Sequence, residues 1–201
     1  AAAGIAGVAA WVPLARLAAV GRSERVLVLG ATGLVGTIAV QAARLLGAER
    51  VVAAGRDEAK LARLPELGAD ATVRLVGERL GERLREACGG EGPTVVLDPL
   101  WGEPLAAALE AAAPGARVVN VGQSAGAEAT IASAWVRGKQ LRILGHANVA
   151  LPAEERRAAY EEVAAHVAAG RIRVERETFP LERVAEAWRA QAAGRKAVVL
   201  L

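Results

Sequence analysis

Three glycines, Gly30, Gly33 and Gly36, stand at intervals of three in "VLGATGLVGTIAV", where an apolar run gives way to an alanine-rich stretch. The chemistry such a seam can do is to bind a pyrophosphate. Gly30 closes a strand, Gly33 lets the backbone pass close to a bound phosphate, and Gly36 lets the following helix pack on the strand. The unpaired N–H groups of the first helical turn, with the helix dipole behind them, then face the negative charge. Ala31, Thr32, Leu34 and Val35 complete the loop and share the expected contact. The spacing is one residue longer than the strict dinucleotide fingerprint, and no Gly-Lys-Ser/Thr follows, which excludes a P-loop. The competing reading is a tight strand-to-helix turn with no ligand.

A second cue closes the next apolar run, "VVAAGRDEAK". Sites for NAD place Asp or Glu there to bind the ribose 2′-hydroxyl. Here Gly55 leaves that place empty, and Arg56 offers a planar fork of donors that suits a 2′-phosphate. Lys60 follows about one turn later and can face the same spot. Together these residues predict NADP(H) in preference to NAD. In the bland alternative Arg56 is a solvated arginine, neutralised by Asp57 and Glu58.

The elements that must hold these groups alternate along the chain. Arg25–Gly30, Arg50–Ala54, Ala71–Leu75, Thr94–Asp98, Arg117–Val121 and Leu141–Gly145 read as short, β-branched strands. Between them Leu34–Leu46, Glu58–Leu67, Glu78–Ala87, Pro104–Ala113 and Ala132–Arg137 read as helices, with stops at Gly47, Gly68 and Gly115. Parallel strands joined by crossover helices give an α/β, doubly wound, six-stranded parallel sheet in the order 3-2-1-4-5-6. Two flanks stand outside this repeat: a helical lead-in over Ala1–Val20, and a tail after a long helix at Ala153–Ala169. The tail reads as Arg171–Thr178, a helix over Leu181–Ala192 and a strand at Lys196–Leu201. The expected organisation is therefore lead-in 1–20, nucleotide-binding domain 21–170 and tail 171–201.

Composition narrows the class. At 201 residues and 53% hydrophobic, the chain can bury one core, built from Ala, Val and Leu because aromatics are only 3%. The net charge of +3 is spread among acids rather than gathered into a basic block, so nucleic acid is not expected as a partner. Arg16 and Arg22 interrupt the first apolar stretch, which argues against a membrane span and for a cytoplasmic protein. One cysteine, Cys88, and two histidines, His146 and His166, make a poor zinc inventory. Neither metal nor a Ser/His/Asp grouping is expected.

Arg25 to Leu75, including Gly47-Ala48 and Leu67-Gly68-Ala69-Asp70, resembles the cofactor domain of the medium-chain dehydrogenase/reductase superfamily. Its quinone oxidoreductase and zinc-binding alcohol dehydrogenase-like branch is the nearest in pattern. The likeness continues through Val95–Pro99, Pro114–Val119, Val121-Gly122 and the closing Phe179–Ala187. The resemblance implies NADPH-dependent hydride transfer to a carbonyl, quinone or enone. It implies that Val121-Gly122 lies beside the nicotinamide, with Asp98, Pro99 and Leu100 lining the adjacent crevice. Asp98 reads more simply as a helix cap or loop holder than as a catalytic acid. His146 follows the sixth strand, with an approach to the nicotinamide side as the minority reading, while His166 reads as structural; catalytic residues stay unassigned. The family's catalytic domain normally precedes this region, so the chain is expected to be the cofactor half, poorly active alone. The family also implies a homodimer that pairs the Leu141–Gly145 edges, against a reading in which Ala147–Pro152 folds over that edge. The alternative function is a stand-alone NADPH-binding or sensing module without catalysis.

Overall fold

A computed structural model of the protein describes residues 2–200. Ala1 of the lead-in and Leu201 of the closing strand lie outside the described residues. Helix α1 (Gly4–Val12) runs into a wider turn at Pro13–Leu17 and delivers the chain to β1 (Arg25–Val28). Then come α2 (Leu34–Leu45), β2 (Arg50–Gly55), α3 (Glu58–Leu61), β3 (Ala71–Arg74), α4 (Leu80–Ala87) and β4 (Val95–Asp98). The second half adds α5 (Gly102–Ala111), β5 (Arg117–Asn120), α6 (Ser133–Gly138), β6 (Arg142–Gly145) and α7 (Ala153–Ala168).

The six strands form one parallel sheet in the order β3-β2-β1-β4-β5-β6, as expected from the alternation. β1 lies at the centre, with Val26 opposite Val51 of β2 on one side and Val95 of β4 on the other. Its side chains alternate between two cores. Val26 and Val28 join the layer built with α1 and α2, while Leu27 and Leu29 join the layer under α4 and α5. The chain reverses its direction of winding between β1 and β4, so a crevice opens beyond their carboxyl ends.

Element ends differ from the sequence reading where backbone chemistry intervenes. The expected helix Glu58–Leu67 is cut into α3 and a 3-10 turn at Leu64–Leu67. Pro65 lacks the N–H that would continue the α-helical ladder and its ring crowds the preceding turn. The expected strand Arg171–Thr178 is shifted to β7 (Glu177–Pro180). Residues 171–176 instead form a strap along α2. The buried Gln41 holds it: Oε1 accepts the Arg173 N–H at 2.7 Å, and Nε2 donates to the Arg173 carbonyl at 3.0 Å. β7, α8 (Val184–Ala192) and β8 (Ala197–Leu200) complete the tail as a small two-stranded parallel unit. Among the described residues no helix is long and apolar enough to cross a membrane.

Candidate functional site

Each of the three loop glycines has its own physical reason. Gly30 takes φ +59°, and a Cβ there would meet Leu100 Cδ2 at 3.0 Å and Pro99 Cγ at 3.1 Å. Gly36 lies on the strand end: its Cβ would stand 2.4 Å from the Gly30 carbonyl oxygen and 2.5 Å from Ala31 Cα. Gly33 differs from both. Its φ is ordinary, and a Cβ would meet nothing nearer than the Gly30 oxygen at 3.4 Å. Gly33 is also the N-cap of α2 and brings no capping side chain. The first amides of the helix, at Leu34, Val35 and Gly36, are therefore presented without a side-chain partner. Thr37 steadies the turn from within, its hydroxyl donating to the Gly33 carbonyl at 2.9 Å.

At the end of β2 Gly55 brings no carboxylate, and the space above it is taken by the loop after β1. A Cβ at Gly55 would lie 2.7 Å from Thr32 Cγ2 and 3.1 Å from Thr32 Oγ1. Glycine is needed there so that the loop after β1 can rest on β2. The two acids that follow are engaged elsewhere. Asp57 caps α3 through Oδ1, accepting the Lys60 N–H at 3.1 Å, and its Oδ2 stands 3.6 Å from Lys60 Nζ. Glu58 pairs with Arg74 at 3.3 Å. Arg56 is exposed and belongs to none of the ion pairs among the described residues.

Beyond Gly33 a cavity of about 610 Å³ opens between the α2 end and the tail. Thr32, Gly33, Leu34 and Lys60 line one side, and the strap with Arg195 and Lys196 lines the other. That volume lies within the ordinary range for small-molecule and cofactor sites, roughly 300–1,000 Å³. Arg56 is not in its wall.

The other side of the crevice is built by Asp98, whose side chain is buried at the end of β4. Its Oδ1 accepts the N–H groups of Leu100 and Trp101, each at 2.9 Å. Its Oδ2 accepts from Asn120 Nδ2 at 2.8 Å. The same Asn120 amide donates to the Gly122 carbonyl at 2.7 Å, tying the loops after β4 and β5 together. Gly122 fits this tie closely, since a Cβ would stand 2.9 Å from the Pro99 carbonyl oxygen. The Asp98 turn holds Trp101 at φ 58° and ψ −160°, a region nearly reserved for glycine that costs about 1–3 kcal/mol. Asp98 thus organises loops rather than facing a reacting atom. Asn120, the polar side chain that closes β5 after Val118 and Val119, is the residue whose part the sequence reading missed.

The two histidines are engaged in structure. His146 Nε2 meets Asn148 Oδ1 at 2.8 Å, and Asn148 Nδ2 donates to the Ile5 carbonyl of α1. His166 stacks against Trp11 with ring centroids 4.9 Å apart, and its Nδ1 accepts from Arg171 Nε at 2.9 Å. Cys88 is buried, and burial pushes its thiol up to about 12. Among the described residues no three His, Cys, Asp or Glu side chains group as a metal site.

Residues 35–168 match the zinc-binding dehydrogenase family. The chain belongs to that family. The resemblance to the cofactor domain of medium-chain dehydrogenases/reductases, seen first in the glycine loop and strand order, therefore holds. The chain is 32% identical over 200 residues to a phenolphthiocerol/phthiocerol polyketide synthase polypeptide of Mycobacterium tuberculosis, covering 96% of this chain. Among solved structures, Escherichia coli quinone oxidoreductase complexed with NADPH superposes with a TM-score of 0.81 at 24% identity, covering all of this chain. CurK enoyl reductase superposes with a TM-score of 0.76 at 25% identity, covering 97%. The chain spans 9% of the polyketide synthase polypeptide, 64% of the quinone oxidoreductase and 60% of the enoyl reductase.

Burial pushes the Asp98 carboxyl above the ordinary value of 3.8, against the opposing pull of its Trp101, Asn120 and Leu100 donors. A native carboxyl with a raised pKa holds its proton more tightly than the unfolded chain does. Its contribution is full below the unfolded value and is lost as pH rises through the native one. The stability of the parent relative to Asp98→Asn should therefore fall as pH rises from below the ordinary carboxyl value of 3.8 to above it. Denaturant titrations of both proteins across that range measure the difference, and a flat or rising difference contradicts the assignment.

Proposed function

We propose that this chain is the cofactor-binding portion of an NADPH-dependent reductase acting on an alkene conjugated to a carbonyl. The observation that carries the reading is at Gly33. Its missing side chain is required by no neighbour in the chain, yet it fronts the free amides of α2 and a cavity of cofactor size. A glycine there makes physical sense when a pyrophosphate lies against the backbone.

The residues fit the whole nucleotide. Leu34, Val35 and Gly36 offer their N–H groups to the pyrophosphate, with the loop Gly30-Ala31-Thr32-Gly33 passing beneath it. Arg56, left without a carboxylate partner, and Lys60 meet the ribose 2′-phosphate. Val121 and Gly122, tied to Asp98, Pro99 and Leu100, bound the nicotinamide end. Bound NADPH supplies the hydride that adds to the alkene carbon β to the carbonyl, with a proton completing the α carbon. This chain's part is to orient one face of the nicotinamide and to keep water from it. The choice of a conjugated alkene rests on the likeness to a polyketide synthase over nearly the whole chain, and to an enoyl reductase. Binding of the alkene is assigned to protein beyond the portion of its structural relatives that this chain spans.

The reading includes a homodimer. β6 is the outermost strand, and Arg142, Ile143 and Gly145 are exposed along it. The loop after β6 runs to α1, where Asn148 bonds Ile5, so the edge faces outward. The N–H groups of Arg142 and His146 bond β5, so by alternation that of Ile143 points to the open side. Two copies joined about a two-fold axis would pair these edges into one continuous sheet.

Arg56→Ala should cost about 1.5–3 kcal/mol of NADPH affinity and leave NADH binding nearly unchanged. Fluorescence titration with each nucleotide measures this, and equal losses for both would remove Arg56 as the selector. Ile143→Pro deletes only the outward donor, so it should leave a folded monomer. Light scattering showing a monomeric parent, or an unchanged dimer in the variant, counts against the edge.

A further inference from the structure

The cavity beyond Gly33 is walled by more positive charge than a pyrophosphate on the α2 amides requires. On the β2 side stand Lys60 and, three residues on, Arg63; both side chains reach the cavity wall. The Arg63 N–H bonds the Lys60 carbonyl at 3.2 Å, so the turn sets the two cations on one face. Across the opening lies the strap, whose Glu175 meets the Arg63 guanidinium with both carboxylate oxygens, one at 3.2 Å from Nη1 and the other against Nη2. The strap is fixed behind this pair by Gln41 on the Arg173 backbone. The pair is exposed, with 60% and 73% of the two side chains open to solvent, and such pairs hold weakly.

We propose that Arg63 is a second ligand for the ribose 2′-phosphate of the cofactor, held in place by Glu175 when that phosphate is absent. The proposal rests on the NADPH reading and adds to it the residue that gives the preference much of its strength. The two-oxygen geometry in which Glu175 meets Arg63 is the geometry in which a guanidinium meets a phosphate. A phosphate near its dianionic form attracts the same fork more strongly than one carboxylate does, and Lys60 beside it favours the exchange. Glu175 acts as a competitor: it keeps the guanidinium ordered in the cavity wall and screens it from nucleotides that lack the phosphate. NADH gains nothing from displacing it. Discrimination then comes from the attraction of Arg63 for the phosphate, less the cost of breaking its pair with Glu175.

The probe that isolates this contact is adenosine 2′,5′-bisphosphate set against adenosine 5′-monophosphate, which differ only in the 2′-phosphate. Calorimetric titration of the full chain should show the bisphosphate binding more tightly to the parent. Arg63→Ala should lose about tenfold of bisphosphate affinity with the monophosphate unchanged, the loss expected for one charge-assisted contact. Glu175→Gln should gain several-fold for the bisphosphate alone. Both side chains are exposed, and circular dichroism should show both variants folded. A parent that prefers the bisphosphate, with that preference intact in Arg63→Ala and lost in Arg56→Ala, overturns the proposal while leaving the NADPH reading in place. A Glu175→Gln variant with unchanged or weaker bisphosphate binding overturns the competitor role. A parent that binds both probes equally overturns the NADPH reading itself.

Discussion

The contact between Gly36 and the Gly30 carbonyl is the constraint on which the rest of the site depends. With no room for even a methyl group between them, α2 starts directly on the end of β1. That start brings the amides of Leu34, Val35 and Gly36 to the crevice at the point where the sheet changes its direction of winding. Any larger residue at 36 would lift the helix from the strand and turn those amides away. Thr32 can rest on Gly55 only because the loop is pulled in this tightly, so the β1 and β2 ends are fixed by one packing relation. The pocket is preorganised by contacts within the chain, which lowers the ordering cost of binding.

On the far side of the crevice a buried carboxylate has the equivalent part. Asp98 gathers two backbone N–H groups and the Asn120 amide, and it holds Trp101 in a backbone conformation that few side chains tolerate. Without that carboxylate the Leu100 and Trp101 N–H groups would lose their acceptor, at about 1–3 kcal/mol for each one left buried and unpaired, while Asn120 would keep the Gly122 carbonyl. The loops after β4 and β5 are therefore one unit, and this side of the crevice is set by hydrogen bonds rather than by bulk packing. Strain and desolvation are concentrated here, while the strands beneath are ordinary valine and leucine core.

Much of this is legible from residues alone, because the strongest signals are local. Short β-branched apolar runs bounded by Gly, Pro or charge mark the six strands, and the alternation with helices sets their order. The glycine triplet and Gly55 mark the close-packed ends of β1 and β2 for the same reason: backbone shape is written in adjacent residues. What cannot be read involves partners far apart in sequence. Gln41 binds the strap 132 residues away, and Arg63 meets Glu175 112 residues away. Neither pairing leaves a pattern in the chain. Gly55 illustrates a subtler limit: its identity is visible, but its reason, the methyl of Thr32 above it, depends on how two loops stack. The break at Pro65, by contrast, is written in the sequence, where helical periodicity on either side of the proline masks it.

The central claim is that Gly33 is kept free of a side chain for a ligand and not for the fold. The most direct measurement replaces it with alanine and follows two quantities in the same protein, thermal stability and the dissociation constant for NADPH. A Cβ at this position meets only the Gly30 oxygen, at 3.4 Å, so the melting temperature should stay near that of the parent. NADPH binding should weaken by about tenfold or more, on the order expected when a pyrophosphate can no longer approach the helix amides. A Gly33→Ala variant that binds NADPH as the parent does would contradict the account. So would one that loses binding only because it no longer folds.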